Sequence, residues 1–327
     1  MRNMPIRWGI SLPNRGALFG LTDTDELIAT AAAAEQSGVF ESVWFGDSLI
    51  HKPRLEAITM LAAVATHTKT VRLGTICMAS FPVRHPLLLA IQWASLDQIS
   101  NGRTLLGVCI GGAHEGELRA FGVKREERVG RMKEGIELLR KIWGDQEVMH
   151  RGKYYTLEGY NIVPKPVQKP PPIWIAVSPE REQVGDKVVD QAMRRVGALA
   201  DGYITMGVTG NELGKRLRVI EQTASEVGKD LSNFEVAIHG MVNINDDRQA
   251  AYTQSKDYFN HYYGPTYPSE SLIQLWLAHG PPKDCARLIQ DWIDMGITTP
   301  VLRFTAKDQI GQVRRFIDDV LPLLRLK

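Results

Sequence analysis

The sequence predicts an α/β fold, a single (β/α)8 barrel, on three observations. Eight short apolar runs are bounded by Gly, Pro or Asn, and nearly all are separated by helix-length segments. The best defined pair, Val71–Met78 and Thr104–Ile110, flanks the apolar stretch Leu87–Ile99, which reads as strand, crossover helix and parallel strand. Finally, no repeat, low-complexity tract, linker or shift in composition divides the 327 residues. That continuity favours one barrel over a doubly wound sheet with a second domain.

In chain order, Ile6–Leu12 is the first strand, stopped by Pro13-Asn14. Asp23-Thr24-Asp25-Glu26 is a capping box for an Ala-rich helix that ends at Gly38. Glu41–Phe45 is the second strand, closed by Gly46-Asp47-Ser48, and Leu55–Thr66 is the next helix. After the central pair, Val129, Met132, Ile136, Leu139 and Trp143 mark an amphipathic helix closed by Gly144. Glu147–Leu157 reads as a hairpin turning at Arg151-Gly152, and Lys165–Pro172, with four prolines, as an extended connector. Ile173–Val177, Gly202–Met206, Phe234–Val242 and Val301–Phe304 complete the strands, and Asp308–Leu324 is a terminal helix. Two stretches, about 145–172 and 245–282, exceed a simple crossover and are assigned as insertions. The second carries six Tyr or Phe residues and Trp276, and is expected to add helices over the barrel mouth.

Bulk properties exclude several classes. Apolar content of 44% and charged content of 23% are those of an ordinary globular enzyme. A net charge of +2 gives no attraction to nucleic acid or membrane surfaces. Three widely spaced cysteines, Cys77, Cys109 and Cys285, argue against a disulfide framework or zinc site and for a reducing cytoplasm. No run reaches the ~18–20 apolar residues of a membrane span, and the N-terminus enters a strand with no signal-peptide pattern.

Barrel active sites are built at the carboxyl ends of the strands. Those ends read Pro13-Asn14, Asp47-Ser48, Ile76-Cys77-Met78, Cys109-Ile110-Gly111-Gly112, Ser178-Pro179, Thr205-Met206-Gly207 and His239–Met241. They hold no paired carboxylates, no metal-ligand cluster and no Ser/His/Asp set. A mouth that is mostly apolar, thiol or glycine suits a flat cofactor that brings its own reactivity. Ser178-Pro179 reads either as an anion-binding helix start or as a plain cap whose dipole is already served by Glu180 and Glu182. Gly111-Gly112 reads either as close backbone approach to a ligand or as a tight turn. Cys109 is either a reactive thiol or a small apolar filler. Of His51, His85, His114 and His239, only His51 and His114 lie in loops expected to face the mouth.

These segments resemble the bacterial luciferase-like superfamily of barrel enzymes, which use reduced FMN or the deazaflavin F420. The matching stretches are Trp8–Pro13, V-W-F-G-D at Val43–Asp47, Leu73–Pro86, L-D-Q-I-S-N-G-R at Leu96–Arg103, L-G-V-C-I-G-G from Leu106, Glu117–Gly122, Pro172–Ser178, A-D-G-Y-I from Ala200, and the late L-I-Q-D-W-I-D-M-G-I and V-L-R-F. The resemblance implies a non-proline cis peptide at Ile76-Cys77 behind the flavin's central ring. It places Cys109 where bacterial luciferase has its reactive cysteine, and Val177-Ser178 in the loop whose amides and hydroxyl hold the cofactor phosphate. It also implies a homodimer through Leu55–Thr66 and Leu87–Ile99. Two positions depart from it: Ser48 stands where many members have His, with His51 three residues on, and Ile110 stands where luciferase has arginine.

The expected protein is a cytoplasmic flavin-dependent oxidoreductase acting on a small organic substrate. Reduced FMN with oxygen, supplied by a separate flavin reductase, is set first. F420-dependent hydride transfer is the alternative, and a flavin-binding protein without turnover a further one. An unrelated lyase or isomerase would need a catalytic group such as Asp47 or His239 at a strand end. The expected catalytic residues are Cys109, His51 and Asp47. The expected cofactor contacts are Ile76, Cys77, Cys109, Gly111, Val177, Ser178 and Thr205, with no metal.

Overall fold

The computed structural model describes residues 4–112, 114–179, 181–264 and 267–326. Its strands are β1 (Trp8–Leu12), β2 (Phe40–Asp47), β3 (Arg72–Met78), β4 (Thr104–Val108), β5 (Val148–Arg151), β6 (Thr156–Tyr160), β7 (Ile173–Ala176), β8 (Gly202–Thr205), β9 (Glu235–Ile244), β10 (Leu277–Gly280) and β11 (Thr299–Phe304). Eight of them close a parallel ring in the order β1-β2-β3-β4-β7-β8-β9-β11, with β11 returning to β1 through Gly9↔Val301. This is the expected (β/α)8 barrel.

Around it lie α1 (Thr24–Gln36), α2 (Ala57–His67), α3 (Pro86–Ser100), α4 (Glu115–Ala120), α5 (Arg128–Trp143), α6 (Arg181–Val184), α7 (Asp186–Leu199), α8 (Gly210–Glu226), α9 (Arg248–Tyr263), α10 (Glu270–Trp276), α11 (Pro282–Asp294) and α12 (Gln309–Arg315). The Asp23 cap forms as its spacing predicts, its carboxylate accepting from the Glu26 amide at 2.8 Å. The last helix is less regular than expected: α12 gives way to a π-helical turn at Phe316–Val320. No helix among the described residues is long and apolar enough to cross a membrane.

The lumen is filled by Trp44, Ile76, Leu105, Trp174, Ile204, Ala237 and Val301. Two matched segments meet here. A Cβ at Gly74 would lie 2.4 Å from Trp44 Cε3, so the Gly of the β3 segment exists to admit the Trp of the β2 segment.

The sequence missed β10. Strand β9 is ten residues long and outruns β8, which pairs only with Glu235–Ile238. Its free edge at Met241–Ile244 is taken by Leu277–Gly280, inside the second insertion. The hairpin is also longer than expected: β6 runs on to Tyr160, and the turn covers residues 152–155. The turn amides of Lys153, Tyr154 and Tyr155 donate to the Glu134 carboxylate of α5.

Candidate active site

The carboxyl ends of β3 and β4 form one wall of the mouth. The Ile76–Cys77 peptide is cis, where the resemblance placed it. Pairing slips on both sides of this link, between Phe45 and Asp47 on β2 and between Gly74 and Met78 toward β4. The Cys77 and Cys109 sulfurs are 2.6 Å apart, Cys77 donating. Hydrogen bonding to Cys109, then burial, pushes the Cys77 thiol well above its ordinary pKa. Gly111 has φ +68°, and a Cβ there would lie 2.2 Å from the Ala79 carbonyl oxygen. The backbone that forces glycine at this position is therefore the loop after β3. Ile110 is half-buried, and Arg128 from α5 donates to the Gly111 carbonyl at 2.7 Å.

The adjoining wall comes from β7 and β8, with β7 paired directly to β4. Ser178 Oγ lies 2.8 Å from Thr205 Oγ1, accepts from the Met206 amide at 2.8 Å and reaches the Met206 carbonyl at 3.0 Å. These contacts correct two expectations. Ser178-Pro179 does not start a helix: the next turn begins at Arg181 and the longer helix at Asp186, while Glu180 lies outside the described residues. The Val177 amide is not free for an anion either, because it continues the strand pairing by donating to the Ile204 carbonyl at 3.0 Å. What the wall offers instead is a cavity of about 240 Å³. Ser178, Gly207, Thr209, Arg216, Ser269 and Ser271 line part of it. Arg216, buried in α8, donates to the Pro179 carbonyl at 2.6 Å and pairs with Glu212 at 2.9 Å.

The proton-handling candidates separate. Asp47 has both oxygens engaged, one with Arg84 at 3.0 Å and one with the Ser80 amide at 2.8 Å. Arg84 also pairs with Glu56 at 2.7 Å, so this carboxylate is part of an ion-paired brace joining the β2 and β3 loops. Both Asp47 oxygens are thus engaged within this brace. His51 is exposed and stacked on His114, ring centroids 4.3 Å apart. Its amide and that of Ile50 donate to Glu117 of α4. Burial, then the neighbouring charges of His114 and Lys52, lower its pKa. Ser48, at the usual His position, accepts from the Lys52 amide at 3.2 Å. His239 is buried with Nε2 unpartnered, and burial, then Arg303, holds it well below the ordinary imidazole pKa.

The sequence reading missed Arg216, Arg128 and Arg84 as parts of the mouth. Arg84 was visible between two prolines, but a turn-packing role explained it equally well. Arg216 and Arg128 project from helices, where charged residues ordinarily read as solvated surface. The signal for Arg216 was its i,i+4 spacing from Glu212 on an otherwise apolar helix face.

A family model described as luciferase-like monooxygenase matches residues 6–299. An F420-dependent glucose-6-phosphate dehydrogenase from Amycolatopsis mediterranei is 27% identical, over 92% of this chain and 94% of that protein. A protein of the same description from Kineococcus radiotolerans is 26% identical, over 90% and 91%. Among solved structures, an F420-dependent secondary alcohol dehydrogenase holding an F420–acetone adduct superposes with a TM-score of 0.81 at 19% identity, covering 98% of this chain and all of that one. A monooxygenase from Streptomyces bottropensis gives 0.80 at 21% identity, covering 97% and 99%. These two likenesses bear on the fold; the family model, spanning most of the sequence, bears on membership. The chain belongs to the luciferase-like monooxygenase family of oxidoreductases.

Proposed function

We propose that the protein is an F420-dependent oxidoreductase that moves a hydride between the deazaflavin and a small organic substrate. This reverses the order set by the sequence alone, which put reduced FMN and oxygen first. The curated relatives quoted above carry F420 in their names and match this chain nearly end to end. The observation that carries the reading is the donor-lined cavity at the ends of β7 and β8, in the same barrel mouth as the cis Ile76–Cys77 link. Asp47 is committed to Arg84 and His239 is held neutral, so the protein supplies little chemistry of its own there.

In this reading the backbone of Ile76 and Cys77 supports the ring from behind, with Cys109 and Gly111 at its edge. Ser178, with Thr205 behind it, and the backbone from Gly207 to Thr209 face the anionic tail. Arg216 supplies positive charge from within that wall. Bound there, F420 would accept or give a hydride. The chain's own residues orient substrate and exclude water. His51, whose pKa burial and the charges of His114 and Lys52 lower, offers a ring nitrogen to take up a proton at the mouth. The aromatic residues of α9 and α10 pack together with Met241 of β9 and Leu277 of β10. A homodimer through α2 and α3 belongs to the same proposal; α3 leaves Leu88 and Ile99 exposed for it.

Reduced FMN with oxygen and a partner reductase remains second, favoured by the position of Cys109. Absorbance titration with F420 and FMN separately tests the order. Tighter binding of F420, followed by its bleaching with substrate in the absence of oxygen, is expected. Tighter FMN binding with oxygen consumption would restore the monooxygenase reading, and binding with no turnover of any candidate would favour a carrier. Ser178→Asp should weaken cofactor binding about tenfold by placing a like charge at the tail. Unchanged affinity would remove Ser178 from the site.

A further inference from the structure

At the mouth beside β2 and β3, four cations gather with no acidic ion-pair partner among the described residues. Arg303, on β11, is 1% exposed; its Nη2 donates to Ser11 Oγ at 2.5 Å and its Nη1 reaches Tyr263 Oη at 3.4 Å. Its guanidinium lies 5.0 Å from the Tyr262 ring centroid, and that of Arg54 lies 5.8 Å from the same ring. Lys52 Nζ sits 5.4 Å from the Tyr263 ring and 5.5 Å from the Tyr267 ring. Arg15 completes the group: burial, then the charge of Arg54, lowers its pKa, and Lys52 is lowered by burial, Arg54 and Arg15. No carboxylate of the described residues forms an ion pair with any of the four.

Like charges brought together and partly desolvated are unfavourable unless something compensates them. The aromatic faces of α9 offset part of that cost. The orphaned polar atoms point to the rest. Ten buried side-chain polar atoms among the described residues lack a partner, and six belong to this region: Arg15 Nε and Nη1, Asn14 Oδ1, His239 Nε2, Tyr258 Oη and Tyr262 Oη. Buried polar groups are ordinarily satisfied, so a concentration of them marks where a ligand completes the network. The location agrees. A Cβ at Gly46 would meet Arg54 Nη1 and lie 3.8 Å from Arg303 Nη2, and the next residue, Asp47, pairs in register with Met78, which follows Cys77. The cations therefore border the wall assigned to the cofactor ring.

We propose that Arg15, Lys52, Arg54 and Arg303, with Tyr262 and Tyr263, form a subsite for the anionic group of the substrate, a carboxylate, phosphate or sulfonate on a small organic molecule. The subsite rests on the oxidoreductase reading only for what its ligand reacts with. Guanidinium and ammonium donors recognise all three anions, and the tyrosine faces suit an apolar stem.

The test uses the full-length protein without cofactor and calorimetric titration with succinate, phenyl phosphate and methanesulfonate. Saturable binding of at least one is expected, falling as salt rises. The double variant Lys52→Met, Arg54→Met should weaken it about tenfold or more while F420 or FMN affinity stays within about twofold. Lys52→Glu, at a half-exposed position, serves as a second variant should the double variant fail to fold. If none of the three anions binds, or binding survives in the variants, the subsite is wrong. If the variants lose cofactor affinity instead, the cluster holds the cofactor tail and the proposal also falls. Because the anion titration contains no cofactor, its failure leaves the cofactor assignment to be decided by its own titration.

Discussion

The two ends of the barrel treat charge in opposite ways. At the floor, where strands begin, Arg72 and Arg103 are both matched by oxygen acceptors. Arg72, first in β3, makes two hydrogen bonds of 2.6 and 2.9 Å to Glu235, first in β9, and Glu235 also accepts from Thr299, first in β11. Arg103, just before β4, donates to the carbonyls of Ala65, Thr68, Val71 and Ser100. At the mouth Arg84 and Arg216 keep acidic partners, in Asp47 and Glu56 and in Glu212, while Arg15, Lys52, Arg54 and Arg303 have no acid among the described residues. A folded chain satisfies charge where stability is the only task, and leaves it uncompensated where a ligand completes the balance.

The floor should break first and hardest. Replacing Arg72 by Met leaves Glu235, whose side chain is 7% exposed, without its bidentate partner. A loss of about 3 kcal/mol is expected in denaturant unfolding. A loss below about 1 kcal/mol would place the pair with ordinary surface ion pairs. The same carboxylate gives a pH signature. Burial alone pushes Glu235 up, but the hydrogen bonds and charge of Arg72 outweigh it and hold the pKa below the ordinary value. Its stabilisation is therefore complete above the unfolded carboxyl pKa of about 4.3 and is lost as pH falls through the lower folded value. Glu235→Gln should lose less stability than the parent between about pH 5 and pH 3. Parallel acid-unfolding curves would show that the pair does not set that dependence.

The same contrast explains what the sequence revealed. The eight barrel strands were legible because buried parallel strands are short apolar runs between turn residues. The L-D-Q-I-S-N-G-R segment that carried the resemblance proves to be floor architecture. Asp97 accepts from Thr104 Oγ1 at 2.6 Å and the Gln168 amide at 2.9 Å, while Asn101, at φ +55°, turns the chain. The cis link could not come from periodicity and was supplied by the resemblance, whereas the contact of Cys109 with Cys77 appeared only in the structure. The cation cluster was invisible because its members come from three distant stretches, at 15, 52 and 54, and 303, each ordinary on its own. Strand β10 was missed because Leu277–Gly280 is four residues long and gains its place only from the unpaired half of β9.

Two adjacent glycines in the loop after β4 can also be set against each other. Gly111 is constrained by the Ala79 carbonyl, whereas a Cβ at Gly112 meets nothing within 4 Å. Gly111→Ala should cost about 2 kcal/mol through the left-handed backbone and the clash, and Gly112→Ala about nothing. If both are neutral in unfolding, the loop after β4 has room to move and is not a rigid wall.

The smallest expected effect sharpens the comparison most. Arg54→Met removes one cation from a group that has no acid and keeps a side chain of comparable length against Tyr262. If the cluster exists for a ligand, unfolding stability in low salt should change by no more than about 0.5 kcal/mol, or rise, because repulsion is relieved. It should also vary less with added salt than the parent does, since screening then has less repulsion to relieve. A structural arginine behaves otherwise: its loss costs stability as Arg72→Met does. Among the described residues Arg54 donates to only one carbonyl, that of Lys52 at 3.1 Å, so little structural bonding is at stake. A destabilisation comparable with that of Arg72→Met would mean that both ends of the barrel obey the same rule, and that the acid-free cluster is held together by its tyrosines for the fold alone.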